Sequence, residues 1–178
     1  MKKIILSMTI LLALAGSLFA NGLENQNAIG MYILGGENAV GGIQYERRFS
    51  DLFSTKFGVF AFYNDKNQYS DPFNGSFTVE GDFTLFENTW KDKISSRLFA
   101  YGMLGYTGVY ERNRSYDDND NPIVTEKMHN NAIASVGFGF DFIFFDHLSV
   151  PIQFGFMGTF PDDPKIEFCG GVALRYTW

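Results

Sequence analysis

The 178-residue sequence has little cysteine and an excess of acidic over basic residues. Its one cysteine, Cys169, excludes an intramolecular disulfide framework and a CxxC metal site. Lys and Arg number 14 against 20 Asp and Glu, for a formal net charge of −6. Nucleic-acid binders need clustered positive charge to neutralise phosphates, so we expect no nucleic-acid partner. The 17% aromatic content is too high for a disordered chain.

Long hydrophobic runs are confined to the N-terminus. There, Lys2 and Lys3 precede an apolar run over residues 4–15, and small residues follow up to Ala20. This pattern predicts a signal peptide, residues 1–20, that is cleaved on export; an uncleaved anchor is the alternative. No later stretch has the roughly 20 apolar residues that a membrane-spanning helix needs.

The remaining chain, residues 21–178, is predicted to be one all-β domain. It is rich in Phe, Tyr, Val, Ile, Thr and Gly, and clusters of Asn, Asp, Pro and Ser interrupt it at regular intervals, as is typical of strands and turns. We predict eight strands, at residues 26–35, 39–49, 53–64, 74–86, 95–111, 131–145, 148–160 and 166–178.

Alternate side chains separate into an apolar and a polar face in four of these strands, because neighbouring residues of a strand point to opposite sides. The apolar faces carry Ile43 and Tyr45; Phe77, Val79, Phe83 and Leu85; Val136, Phe138, Phe140, Phe142 and Phe144; and Phe168, Val172, Leu174, Tyr176 and Trp178. The opposite faces carry Gln44, Glu46 and Arg48; Thr78, Glu80, Asp82 and Thr84; Ser135, Gly137, Gly139 and Asp141; and Glu167, Cys169, Ala173, Arg175 and Thr177.

The sizes of these side chains indicate which face points inward. An eight-stranded barrel is just wide enough inside for side chains to fill it, and the bulky aromatic faces would overfill it. We therefore predict an eight-stranded antiparallel up-and-down transmembrane β-barrel with apolar residues facing lipid. Predicted strand 95–111 carries aromatics on both faces, so its orientation stays open.

The inward faces carry charges of both signs, which predicts a salt-bridged network inside the barrel, because unpaired buried charges are costly. The candidate members are Glu46, Glu80, Asp82 and Asp141 against Arg48, Lys56 and Arg175. Arg48 lies next to a turn, and water at the mouth of the barrel is the expected alternative for it.

Barrels of this class place short turns in the periplasm and long loops outside. The predicted periplasmic turns are 50–51, 87–93 and 146–147, and the predicted outer loops are 36–38, 65–73, 112–130 and 161–164. Residues 112–130 form the longest and most acidic of these connections, so we expect any extracellular protein or lipopolysaccharide partner to bind there.

The last strand, residues 171–178, ends in the aromatic Trp178 after alternating apolar residues, similar to the terminal signature by which outer-membrane barrels are recognised for assembly. With the signal peptide and the turn entry at residues 45–49, the chain resembles small outer-membrane β-barrel proteins of the OmpA membrane-domain and OmpX type. The resemblance implies a surface-exposed protein of a Gram-negative-type outer membrane. It also implies membrane lipids and the barrel assembly machinery as partners, and a structural, adhesion or recognition role.

Two other functions are weighed. His147 and Ser149 resemble the His and Ser of lipid A deacylase barrels, in which a His activates a nucleophile; the turn at 146–147 makes a structural role the favoured interpretation. A narrow channel is disfavoured by the small bore of eight strands. The acidic run 117–121 departs from the EF-hand pattern, and Cys169 is interpreted as a packed thiol. We therefore expect no catalytic, cofactor-binding or metal-binding residues.

Overall fold

A computed structural model describes residues 25–36, 39–63, 72–90, 94–116, 122–162 and 164–178. These residues form one closed barrel in which each strand pairs antiparallel with the next and the last with the first. The strands are β1 (Asn27–Gly35), β2 (Val40–Arg48), β3 (Phe53–Tyr63), β4 (Phe73–Trp90), β5 (Ile94–Tyr116), β6 (Pro122–Phe144), β7 (Leu148–Phe160) and β8 (Lys165–Thr177). The predicted signal peptide and the predicted loop tips at 37–38, 65–71 and 117–121 lie outside the described residues.

The predicted inward and outward faces are confirmed in strands β2, β4, β6 and β8. On β4, Thr78, Glu80 and Asp82 are buried, whereas Phe77 and Phe83 are about half exposed. The barrel thus carries a broad apolar exterior and a polar interior in its lower half, the end that carries the chain termini. A closed sheet with this inverted pattern is an eight-stranded transmembrane β-barrel, since closure satisfies the strand edges that lipid cannot. In the described residues, no helix is long and apolar enough to cross a bilayer.

Two predicted connections prove to be largely strand. The predicted turn 87–93 is wrong in extent, because Trp90 on β4 already pairs with Ile94 on β5. The predicted loop 112–130 is wrong as well, because the paired strands β5 and β6 continue through it as far as Tyr116 and Pro122. Alternation of apolar and polar residues marks strands that are half-buried. A strand ribbon with water on both faces has no such alternation, so the sequence does not reveal it.

The orientation of β5, left open by the sequence, is settled by burial. Arg97, Phe99, Tyr101 and Met103 point inward, and each is at most 4% exposed. The interior of this part of the barrel therefore holds two aromatic rings from β5. Phe99 and Tyr101 fit because their rings lie over glycines of β6 and β7, and a Cβ at Gly137 would come within 2.8 Å of the Tyr101 ring.

The interior consists of two layers stacked along the barrel axis. The lower layer is polar and charged, and the upper layer is an apolar cluster near the end that carries the long β5–β6 hairpin. The upper cluster contains Leu34, Val40, Met103, Ile133 and Met157. Tyr32 lies between the layers: its hydroxyl crosses the inner face of β3 and shares a 2.9 Å hydrogen bond with Thr78 on β4.

Candidate functional site

The lower interior contains a cluster of seven buried charges in the described part of the chain, named here the central charge cluster. Its members are Glu46, Lys56, Glu80, Asp82, Arg97, Asp141 and Arg175. Each side chain is at most 3% exposed, so water contributes almost nothing to their solvation. The cluster contains four acids and three bases, and it confirms the predicted network of salt bridges inside the barrel.

Three ion pairs of this cluster connect strands that are not neighbours: Arg97 with Glu46, Arg175 with Glu46 and Arg175 with Asp141. Arg97 on β5 places its Nη2 atom 2.9 Å from the Glu46 carboxylate on β2 and 3.3 Å from Asp141 on β6. Arg175 on β8 lies 2.5 Å from Glu46 and 2.9 Å from Asp141. The two guanidinium groups and two carboxylates thus tie opposite walls of the barrel together, which backbone ladders alone do not do.

Lys56 forms the other half of the cluster. Its Nζ lies 2.6 Å from Glu80 and 2.8 Å from Asp82, both on the neighbouring strand β4. Gln153 donates a further 2.6 Å hydrogen bond to Glu80. Phe99 covers the cluster from above, with Lys56 Nζ 4.3 Å from its ring centroid. This ring separates the charges from the apolar upper layer.

Six of the seven charges were predicted from the sequence, and Arg97 was not. β5 carries aromatics on both faces, so no alternation marked Arg97 as inward. Arg48, which was a candidate member, lies instead at the lower mouth. There it pairs with Glu87 at 2.7 Å, and the two side chains are 11% and 32% exposed. The alternative given for Arg48, a place at the mouth, is confirmed.

Ser149 and His147, the candidate catalytic pair, are placed in different surroundings. Ser149 is fully buried in the charge cluster, where its hydroxyl donates to Asp141 at 2.7 Å and accepts from Arg175 at 2.9 Å. His147 lies in the β6–β7 turn, its ring stacked on the outward Tyr176 and its Nδ1 3.1 Å from the Thr177 carbonyl oxygen. The structure therefore does not bring the imidazole and the hydroxyl together.

A second candidate site is the upper end of the β5–β6 hairpin. The β4 ladder ends at Tyr110, and the β7 ladder ends at Ala132. In the described part of the chain, residues 111–116 pair only with residues 122–127, and residues 128–131 pair only with residues 107–110. We call residues 111–116 and 122–131 the projecting ribbon. The described side chains of residues 123–128 are all exposed, so both faces of this segment are open to the surroundings.

Polar contacts on the ribbon surround His129, which lies half-buried on strand β6. Its Nε2 lies 2.8 Å from Glu111 and its Nδ1 3.4 Å from Asp162. A hydrogen bond donated by Asn113 lowers the pKa of the Glu111 carboxyl, which keeps this carboxylate charged beside the imidazole. These contacts fix the base of the ribbon above the barrel rim.

Cys169 is buried, as predicted for a packed thiol. Its Sγ lies 3.5 Å from the Ser135 hydroxyl and 3.8 Å from the Tyr101 hydroxyl. The acidic run 117–121, considered for calcium, lies outside the described residues.

Comparison with known proteins places the chain by its fold. No family model and no curated protein matches the sequence. The N-terminal β-barrel domain of Pseudomonas aeruginosa OprF superposes with a TM-score of 0.57 at 10% identity, over 87% of this chain and 98% of that one. Ail, the attachment invasion locus protein of Yersinia pestis, gives 0.42 at 11% identity, over 88% and 100% of the two chains. Neisserial surface protein A gives 0.41 at 11%, over 85% and 92%. The similarity to the OprF domain confirms the predicted resemblance to small outer-membrane barrels of the OmpA and OmpX type in fold.

Proposed function

We propose that this eight-stranded transmembrane barrel is an integral protein of a Gram-negative-type outer membrane and that it recognises an extracellular protein or lipopolysaccharide through the projecting ribbon. One observation carries the proposal: in the described part of the chain, residues 111–116 extend beyond the ladder with β4, and residues 122–131 extend beyond the ladder with β7. A strand that projects beyond its neighbours can serve as a template for pairing with another chain.

The side chains of the ribbon support an interaction role. Ile123 is 48% and Val124 53% exposed, on the same strand as the polar residues Glu126 and Lys127. Exposed apolar side chains beside charges are typical of surfaces that bind partners, because the apolar groups are buried on binding and the charges orient the partner. The contacts of His129 with Glu111 and Asp162 hold the base of this ribbon.

The experiment shortens the ribbon without opening the barrel. Glu111 and Lys127 face each other in the ladder, so replacing residues 112–126 by Asn-Gly leaves them joined by a two-residue hairpin turn. We expect cells carrying this variant to lose retention on immobilised matrix proteins and binding of purified lipopolysaccharide. Heat-modifiable gel migration should stay that of a folded barrel, since ribbon residues contribute nothing to the barrel ladders.

A matched control keeps the length of the ribbon. Ile123→Thr with Val124→Thr retains β-branched residues and removes only apolar surface, so a partial loss of binding would assign the contact to these side chains. Two results would contradict the proposed function. One is full binding by cells that carry the shortened variant; the other is binding by cells with the parent protein that does not exceed the binding of cells that lack it.

The proposal includes no catalytic role and no conduction. Ser149 is engaged by Asp141 and Arg175, which supports a structural function for its hydroxyl. The packed charge cluster, with the Phe99 ring above it, supports a closed lumen rather than a narrow channel. Membrane lipids on the apolar exterior and the barrel assembly machinery remain the other expected partners.

A further inference from the structure

The barrel wall is open between β2 and β3 in its upper half. The ladder between these strands ends at the pair Ile43–Val59. Both strands nevertheless continue: β2 stays paired with β1 as far as Val40, and β3 with β4 as far as Tyr63. Residues 40–42 and 60–63 therefore bound a V-shaped gap, which we call the lateral opening.

The ladder between β2 and β3 ends next to Gly42, whose backbone is unusual. Its φ of +132° is a conformation that side chains of other residues rarely adopt. A Cβ at this position would clash with the Val59 carbonyl oxygen and come within 2.8 Å of the Phe60 Cβ, so the two strands are still in contact here. Gly42 is therefore the lower end of the gap, while β2 remains in register with β1 as far as Val40.

The lateral opening lies at the depth of the lipid tails. A strand that rises about 3.3 Å per residue and tilts roughly 40° gains about 2.5 Å of height per residue. Ile43 lies five residues above Arg48 at the lower mouth, and thus about 12 Å above it. The apolar band of such barrels is about 25 Å tall, so the gap faces the upper half of the hydrocarbon layer.

A cavity of about 840 Å³ spans the gap, and part of it lies on the outer surface of the barrel against Met31, Val172 and Leu174. Its lining combines lipid-facing residues such as Ile43 and Val59 with inward residues such as Tyr32 and Phe60. Phe60 points inward because it pairs with the inward Ser76, and yet it is 39% exposed, which means that lumen space beside it is unfilled. The Tyr32–Thr78 hydrogen bond forms the floor above the charge cluster.

We propose that the lateral opening admits an acyl chain from a lipid of the surrounding bilayer into this cavity. The lining is overwhelmingly apolar and is continuous with the lipid-facing exterior, so a hydrocarbon chain enters without leaving an apolar environment. The site is independent of the projecting ribbon.

The test places a photoreactive benzoylphenylalanine at Phe60 in the full barrel, reconstituted in palmitoyl-oleoyl phosphatidylcholine vesicles. Its excited ketone inserts into C–H bonds, so a lipid in the cavity gives an acyl-chain adduct that fragment mass spectra locate. The same label at the outward-facing Phe138 is the positive control. We expect acyl-chain adducts at both positions.

A blocking variant separates entry through the gap from general lipid contact. Ala61 is exposed and lines the cavity, so Ala61→Trp should abolish the adduct at position 60. Ala100→Trp is the matched control, because Ala100 faces outward on the closed wall between Phe83 and Phe138. Ala61→Leu provides a smaller block if heat-modifiable migration shows that the Trp variant does not fold.

Three results would overturn the proposal: no acyl-chain adduct at position 60 when Phe138 gives one, an adduct confined to the lipid headgroup, or equal adduct yields in the Ala61 and Ala100 variants.

Discussion

Tyr32 on β1 and Thr78 on β4 are joined by a 2.9 Å hydrogen bond between their hydroxyl groups, although two strands separate them in the barrel wall. The phenol reaches Thr78 by passing over Gly58 on β3, where a Cβ would lie 2.6 Å from Tyr32 Cζ. The bond thus exists only because the strand beneath it has no side chain at that position.

Gly58→Ala should therefore destabilise the barrel by about 1–3 kcal/mol through overpacking. A Cβ at Gly58 would also clash with Thr78 Oγ1, so a Tyr32→Leu background removes part of the crowding, and the penalty of the same substitution should fall there without vanishing. Gly81→Ala is the matched control, since a Cβ there meets only Phe53 atoms at 3.6 Å or more. Urea unfolding midpoints in lipid vesicles measure all four variants. Equal penalties with and without Tyr32 would contradict this packing.

The central charge cluster predicts a large difference between buried and rim charges. Glu80→Ala leaves Lys56 and Gln153 without one acceptor in a site closed to water, and should cost on the order of 3 kcal/mol. Glu87→Ala breaks a pair at the mouth and should cost at most about 1 kcal/mol. Unfolding in vesicles provides the comparison. Similar midpoints for the two variants would count against an internal network.

The same cluster predicts a structural role for Ser149. Ser149→Ala removes a donor to Asp141 and an acceptor for Arg175, and should cost about 1–3 kcal/mol of stability. His147→Ala removes only a turn contact and should leave the unfolding midpoint near that of the parent. Neither variant should change the mass spectrum of lipid A from cells that produce it. An altered spectrum in either strain would make a hydrolase the better interpretation.

The C-terminal residue closes the barrel. Trp178 exchanges two 3.0 Å backbone hydrogen bonds with Asn27, and its ring stacks on Tyr176. Deleting Trp178 should sharply lower the amount of protein that reaches the membrane, because the closing ladder loses its last pair and an interfacial aromatic anchor. Trp178→Phe keeps the backbone pair and an aromatic ring and should assemble well. Protease resistance of the deletion variant at the parental level would contradict the assignment.

The sequence predicted the strands whose two faces differ in polarity. On β4 and β8, apolar and charged residues alternate. A shift of one residue in the strand register would exchange the lipid-facing side chains with the buried ones, so the alternation fixes the register. Alternation fails on β5, because Phe99 and Tyr101 are accommodated by glycines on β6 and β7, and such complementarity between strands is invisible along one strand.

Two further features depend on properties that residue type does not reveal. The projecting ribbon has the same surroundings on both sides, so the polarity of residues 111–116 and 122–131 resembles that of a loop. The lateral opening has its lower end at Gly42, whose positive φ the sequence does not reveal, because many other glycines of this chain pair in ordinary extended strands. The interior charges were found because they are few and lie on clearly polar faces.

The wide distribution of the charge cluster constrains the order of events during membrane entry. Its members come from six of the eight strands, from Glu46 on β2 to Arg175 on β8. A strand that entered the bilayer alone would carry its charge into hydrocarbon without a counterion, at about 2–4 kcal/mol for a basic side chain at the midplane. Arg175 on β8 finds its carboxylates on β2 and β6, so no single hairpin supplies them. Such costs disappear only when the strands arrive together. Insertion of a nearly complete sheet, with β1 and β8 meeting last, is therefore the low-energy route for this chain.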